Sequence, residues 1–342
     1  MLNETRFYCP ECDEGLNLPE MQMPSRRGFL RLAGAATAAA AIGGTRLAYG
    51  DEAPAKAAAK PAEKIIRELY STYSDEQKKD LVAPYDHMSD GKLTRQRTFN
   101  SPAMDKRIAD VYTKPQQDLV KQALLAILSG NDALERLSRH GNWDSSGSLE
   151  GCGATIFGDP AENGKFAWVF SGHHLTLRCD GNSEPNAAFG GPIYYGHSAG
   201  GYNKENVYLY QTEQVTKVFE ALDGKQQAKA LSQNNPGDGL GGTKPTNPRH
   251  GIAYSELSED QQKLVEETMR TLLGPFRKED VDEVMSIVKA GGGMDQIHVA
   301  FYEDSGINDG HRWHFWRVEG PGFAWNYRVL PHVHCFVNIA SA

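Results

Sequence analysis

The sequence predicts an α+β fold: a single domain in which an antiparallel sheet, built from central and C-terminal strands, packs with several helices. Three observations carry this. Residues 166–179 begin apolar on both alternating faces, as an interior strand covered on both sides does. Residues 296–338 read as a strand meander with turns at Asp304-Ser-Gly-Ile-Asn-Asp-Gly310 and Gly320-Pro-Gly322. Before and between these stretches, apolar residues recur at helical spacing.

The chain has 342 residues, enough for one large domain or two ordinary ones, and 39% of them are hydrophobic, enough for a core. The net charge is −8 and there is no basic run, so nucleic acid is not expected as a partner. Five cysteines are too few and too scattered for a disulfide framework. Beyond the N-terminal segment, Cys152, Cys179 and Cys335 admit one disulfide with a thiol left over, or none.

Residues 1–50 read as a twin-arginine export signal. Ser25-Arg26-Arg27-Gly28-Phe29-Leu30 carries the motif through Arg26 and Arg27, a mild apolar run follows over 32–44, and Ala48-Tyr-Gly50 offers small residues for cleavage. The run is too short and too rich in Ala and Gly for a membrane span. The expectation is an exported protein, periplasmic or extracellular, that meets the twin-arginine translocase on its way and has no membrane span in its mature form. Cys9-Pro-Glu-Cys12 resembles half of a zinc ribbon but lacks its other half. Residues 51–63, rich in Ala, Lys and Pro, read as a flexible linker, and 64–342 as the domain.

Within the domain, Ile65, Ile66, Leu69, Tyr70 and Tyr73 lie on one face of a helical segment. Helix starts are written as Ser74-Asp-Glu-Gln77, Asp223-Gly-Lys-Gln226 and Ser258-Glu-Asp-Gln261, each a capping residue with Gln three positions on. Residues 84–104 read as a turn and a strand, 115–140 as one helix and 141–153 as a loop. The stretch 166–179 reads as one strand, with a bulge at Gly172 needed to bring His173 and His174 to one side. Residues 189–201, Phe-Gly-Gly-Pro-Ile-Tyr-Tyr-Gly-His-Ser-Ala-Gly-Gly, are too glycine-dense for core and read as a site-lining loop with Tyr194, Tyr195 and His197. Helices follow over 205–222, 225–233, 259–273 and 278–290, and strands over 296–303, 311–319 and 323–338. His311 and His314 read as surface groups beside a turn.

Phe157-Gly-Asp-Pro160, Gly172-His-His-Leu175, Phe189-Gly-Gly-Pro192, Gly320-Pro-Gly-Phe323 and His332-Val-His334 occur in an order and spacing that resemble the bacterial family called domain of unknown function 3500. The resemblance spans about residues 65–338. It implies an exported protein and carries no activity. In that family an Arg-Asp pair usually follows the second histidine motif, whereas Cys335-Phe336 follows here.

His332 and His334 alternate around Val333, so on a regular strand both imidazoles face one way, about 7 Å apart by strand rise. Two such rings with a third ligand from a neighbouring strand can hold a transition metal, zinc or copper. The candidates for the third are His173 and His174, then His197 or His298. One reading is a metal-binding protein or hydrolase-like metalloenzyme. The other is a non-catalytic envelope protein that binds a small ligand or another protein through Tyr194 and Tyr195. Whether the chain is an enzyme is open at this stage. No nucleophile elbow, Ser-His-Asp order or dinucleotide fingerprint is present.

Overall fold

The computed structural model describes residues 61–161, 164–197, 199–232, 234–238, 244–303 and 310–339. Arg26, Arg27, the Cys9/Cys12 pair and most of the expected linker lie outside these residues. Among the described residues there are nine α-helices and thirteen strands, eleven of them in one mixed, mostly antiparallel sheet. The fold is the α+β domain expected.

Helix α1 is Pro61–Ser71 and so begins inside the expected linker. Then come α2 (Asp75–Leu81), β1 (Val82–Ala83), a small hairpin of β2 (Met88–Ser89) and β3 (Lys92–Leu93), α3 (Ile108–Val111), α4 (Lys114–Ile127) and α5 (Asn131–Leu137). Strands β4 (Gly153–Gly158), β5 (Phe166–Gly172), β6 (Leu175–Cys179) and β7 (Ile193–His197) form the first half of the sheet. Helices α6 (Leu209–Ala221) and α7 (Gly224–Ala230), the short β8 (Leu231–Ser232) and β9 (Ile252–Ala253), and helices α8 (Glu259–Leu272) and α9 (Lys278–Ala290) intervene. Strands β10 (His298–Tyr302), β11 (Phe315–Gly320), β12 (Phe323–Arg328) and β13 (Val333–Ile339) complete it. The spatial order is β1-β4-β5-β6-β7-β13-β12-β11-β10-β8, with β9 also on β10. Only β1–β4 and β10–β8 pair in parallel.

The capping residues start helices as read. Ser74, Asp223 and Ser258 each accept the backbone N–H of the Gln three positions on, and each Gln reaches back to the cap. Such a cap contributes about 1 kcal/mol. No helix among the described residues is long and apolar enough to cross a membrane.

Several expectations need correction. The 166–179 strand is two strands, with His173-His174 as the turn between them, and Gly172 pairs with Leu175. The 115–140 helix breaks after Ile127, where Ser129 N–H donates to Pro275 O across to another segment. The 189–201 loop contains β7, an interior strand between β6 and β13 with Tyr194 and Tyr195 buried. The 323–338 strand is β12 and β13 around a turn. Residues 95–100 form no strand, and β4 was not foreseen. His314 is buried, its backbone N–H donating to Tyr302 O. Of the two alternatives left open for Cys152, Cys179 and Cys335, the structure shows the one without a disulfide.

The two faces of the sheet differ in their share of polar side chains. Trp168, Phe170, Tyr195, Cys335, Tyr327, Trp325, Val318 and Trp316 join one core with residues of the helices, including Val120, Leu124, Val215, Val265, Met269 and Val284. The other face carries buried polar side chains: Arg178, Thr176, Ser171, His334, Asn326, Arg317 and Glu319. Irregular chain covers that face, and the strand side chains serve its backbone. Thr176 Oγ1 donates to Phe99 O (2.9 Å) and accepts from Phe99 N–H (2.7 Å). Arg178 donates to Arg97 O and to Pro192 O. Glu319 accepts N–H groups of Thr246 (2.8 Å) and His250 (3.2 Å), and the fully buried Arg317 donates to Lys244 O and to Glu319.

Gly196 shows why a glycine stands in an interior strand. A Cβ there would lie 2.4 Å from Val333 O and 3.4 Å from His174 Cβ. The Val333 carbonyl belongs to a paired strand and cannot yield cheaply. Gly196→Ala is therefore expected to lower stability by about 1–3 kcal/mol, read as a reduced urea midpoint with unchanged m-value; an unchanged midpoint would show that β7 and β13 can part without cost.

Candidate metal centre

The His173-His174 turn closes the β5–β6 hairpin in two residues. His174 sits in the left-handed region at φ 56°, a conformation that costs a non-glycine residue roughly 1–2 kcal/mol. The surroundings hold it there. His173 N–H donates to Ser146 Oγ (2.8 Å), and His174 N–H donates to Asn100 Oδ1 (2.7 Å). Gly172 is required before the turn, since a Cβ would meet Cys152 Sγ at 2.7 Å.

At the same end of the sheet, β12 finishes with Arg328 and β13 starts with Val333. His334 pairs with Arg328 on one side and with Gly196 on the other. Residues opposite one another in an antiparallel pair share a face, so the His334 imidazole and the Arg328 guanidinium rise together on the loop-covered face. His332 lies one residue before β13 and is brought beside them. Cys335 alternates to the helix side, where burial pushes its thiol up to about 12.

Three imidazoles converge. His174 Nε2 lies 3.1 Å from His332 Nε2, which lies 2.8 Å from His334 Nε2. The opposite nitrogens of two of these rings are fixed by carboxylates: His174 Nδ1 is 2.6 Å from Asp144 Oδ2, and His334 Nδ1 is 2.8 Å from Asp238 Oδ2. An ionised carboxylate only accepts, so those Nδ1 atoms carry the protons and the Nε2 atoms present lone pairs. Imidazoles bound to one tetrahedral ion at about 2.0–2.1 Å place their nitrogens about 3.3 Å apart. The separations of 3.1 and 2.8 Å about His332 lie within about half an ångström of that. A carboxylate behind a ligating histidine is the usual support for such a ring. This buried His/Asp group could therefore hold a metal ion; His174, His332 and His334 offer nitrogen atoms that all lie within 4.8 Å of one another.

Arg328 is the cation now at the apex. Its Nη2 lies 3.2 Å from His332 Nε2 and 3.0 Å from His334 Nε2, and its Nη1 lies 3.2 Å from Asp238 Oδ2. On the far side, Arg139 Nη2 lies 4.0 Å from Asp144 Oδ2. Burial lowers the pKa of His174, His332 and His334 to about 3 each, and neighbouring Arg328 adds to this for the last two. All three rings are thus neutral at pH 7. Burial pushes the Asp238 carboxyl up, but His334 and Arg328 outweigh it and hold it well below the usual range.

The other residues singled out from sequence lie as follows. His173 is buried, with Nδ1 3.7 Å from Asp144 Oδ1 and its ring 4.1 Å from that of His174. His197 pairs in register with Val333 and so alternates away from the cluster; its Nδ1 is 3.4 Å from Asn206 Oδ1. Tyr194 stacks on Phe336 (4.2 Å) and stands edge-on to His334 (5.3 Å), forming a wall of the site. Tyr195 faces the helices, its hydroxyl 3.1 Å from Gln211 Oε1. His311 stacks on Tyr202 at 3.5 Å, away from the centre.

Sequence reasoning missed Asp144, Asp238 and Arg328. Asp144 follows Trp143, both left-handed at φ 53° and 52°, on a segment anchored by the Trp143 ring against Phe170. Asp238 follows Gly237 in a Pro/Gly loop, and Asn326 Nδ2 donates to Gly237 O (3.4 Å). Neither spacing nor period marks these residues. Arg328 had a signal: it lies four residues before His332, within one turn of chain.

The lowered imidazole pKa values make the metal-free protein acid-sensitive in a defined window. Between the ordinary 6.5 and about 3, the unfolded chain takes up protons that the folded one refuses. Stability is full above pH 6.5 and falls as pH drops through that window, on the order of 1 kcal/mol per pH unit for one such group. Urea midpoints of chelated protein are expected to fall from pH 7 to pH 5, and His332→Gln is expected to flatten the slope; a flat wild-type profile would contradict the assignment.

No curated protein and no solved structure matches the chain. The family model described as "Protein of unknown function (DUF3500)" matches residues 54–338, five-sixths of the sequence, and all the histidines, carboxylates and arginines of the centre fall inside that range. The chain belongs to this family.

Proposed function

We propose that this chain is an exported metal-binding protein whose ion is held by Nε2 of His174, His332 and His334. One observation carries the reading: three neutral imidazoles from two distant segments aim nitrogens at one point, two of them with Nδ1 locked by Asp144 and Asp238. Buried imidazoles satisfied only for structure would point their nitrogens at separate partners. An all-nitrogen donor set suits zinc or copper better than magnesium or calcium. Three protein ligands leave a position open, and an ion so held can acidify a water ligand or polarise a carbonyl, the chemistry of a hydrolase-like enzyme acting on a small molecule. The second reading, a non-catalytic envelope protein that binds through Tyr194 and Tyr195, is less favoured because both side chains are buried. Export is supported by the twin-arginine-like motif around Arg26 and Arg27.

Protein purified after native export is expected to carry one zinc or copper per chain by elemental analysis. His332→Ala with His334→Ala should remove it. Asp238→Asn should keep the fold and weaken the metal about 10–100-fold. A metal-free wild type, with a melting temperature indifferent to the double substitution, would refute the centre. Replacing Arg26 and Arg27 by Lys is expected to leave the protein in the cytoplasm on fractionation; undisturbed export would refute the route.

A further inference from the structure

Two carboxylates, Asp144 and Asp238, and two guanidiniums, Arg139 and Arg328, stand around the three imidazoles. A divalent ion would add two positive charges to a site whose imidazoles are almost wholly buried. Charge in such surroundings is favoured when it is paired with its opposite, and three nitrogen ligands leave a coordination position open for an anion.

Arg328 marks where the anion goes. Its Nη2 now donates toward the lone pairs of His332 and His334, the atoms an ion would take. Loading the site takes up both lone pairs and leaves Nη2 beside the ion. Nη1 stays bridged to Asp238 and Nε lies 3.3 Å from His332 O, so the head group is tethered on its other edges. This side of the site is also the less buried one: the side chains of Arg328 and Asp238 are 14% and 23% exposed, against 0% for His174. A guanidinium edge is suited to oxygen pairs of carboxylates and phosphates.

We propose that the loaded centre binds a small oxyanion, one oxygen on the ion and another on Arg328 Nη2, so that the ligand or substrate is an acid carried as its carboxylate or phosphate. This rests on the metal reading above and adds the chemical class of what the site takes.

The test uses full-length mature protein loaded with cobalt(II), titrated with sodium acetate and separately with inorganic phosphate, with sodium perchlorate as ionic-strength control. Visible absorption of the cobalt is the readout. A saturable change is expected with acetate or phosphate and not with perchlorate, and whichever responds separates the carboxylate from the phosphate source. Arg328→Met should still bind one cobalt and lose about tenfold or more in anion affinity. Should that variant fail to fold, Arg328→Lys keeps the charge opposite Asp238 but lacks the planar fork, and must also bind the anion more weakly. Bound cobalt whose spectrum neither anion moves, or an arginine variant that binds as well as wild type, overturns the oxyanion proposal alone. Failure to bind cobalt overturns the metal reading and this proposal with it.

Discussion

The structure depends on hydrogen bonds between strand side chains and irregular backbone. A helix laid on a sheet satisfies its own peptide groups; a loop does not, and burying one leaves N–H and C=O groups that must find partners. Here one face of the sheet is roofed by helices and the other by loops. The loop-covered face accordingly carries Thr176, Arg178, Arg317, Glu319 and Asn326 among its apolar residues, whereas the core on the helix-covered face is apolar and aromatic. Each of those polar side chains reaches a backbone group of the covering chain. The histidine cluster is the continuation of this polar row to the start of β13, where the partners of the side chains change from backbone to carboxylates.

That arrangement explains why the centre draws on so many elements. The hairpin turn brings His174, the start of β13 brings His332 and His334, the end of β12 brings Arg328, and two loops bring Asp144 and Asp238. No single element could supply the set, since a strand offers one face and one residue in two. The local strain at Trp143, Asp144 and His174 is concentrated where a loop or turn must aim a side chain inward.

Much of the fold was legible in the sequence because helices announce their starts and strands their alternation. The capping boxes at Ser74, Asp223 and Ser258 and the helix over 278–290 stand where the residues place them. The errors share a cause. A glycine-rich stretch reads as loop, yet β7 needs Gly196 because a neighbouring carbonyl presses on it. A run of apolar residues reads as one strand, yet a two-residue turn of histidines folds it back, and histidine is not a turn residue by composition. In the site, the histidines stood out by their pairing. The two aspartates did not, because their role comes from loops closing over the sheet, a long-range event that local pattern does not record.

The pairing of β13 fixes more than the sheet. His334 and Cys335 are neighbours on opposite faces, one opposite Gly196 and Arg328, the other opposite Tyr195 and Tyr327. A slip of one position against either neighbour would invert every side chain of the strand. A thiol would then stand where the imidazole belongs, the imidazole would be pressed among tyrosines, and the glycine notch in β7 would face the wrong residue. The chemistry of this corner is thus written into strand alignment, and its integrity is a direct report on whether three neighbouring strands have locked in the correct phase.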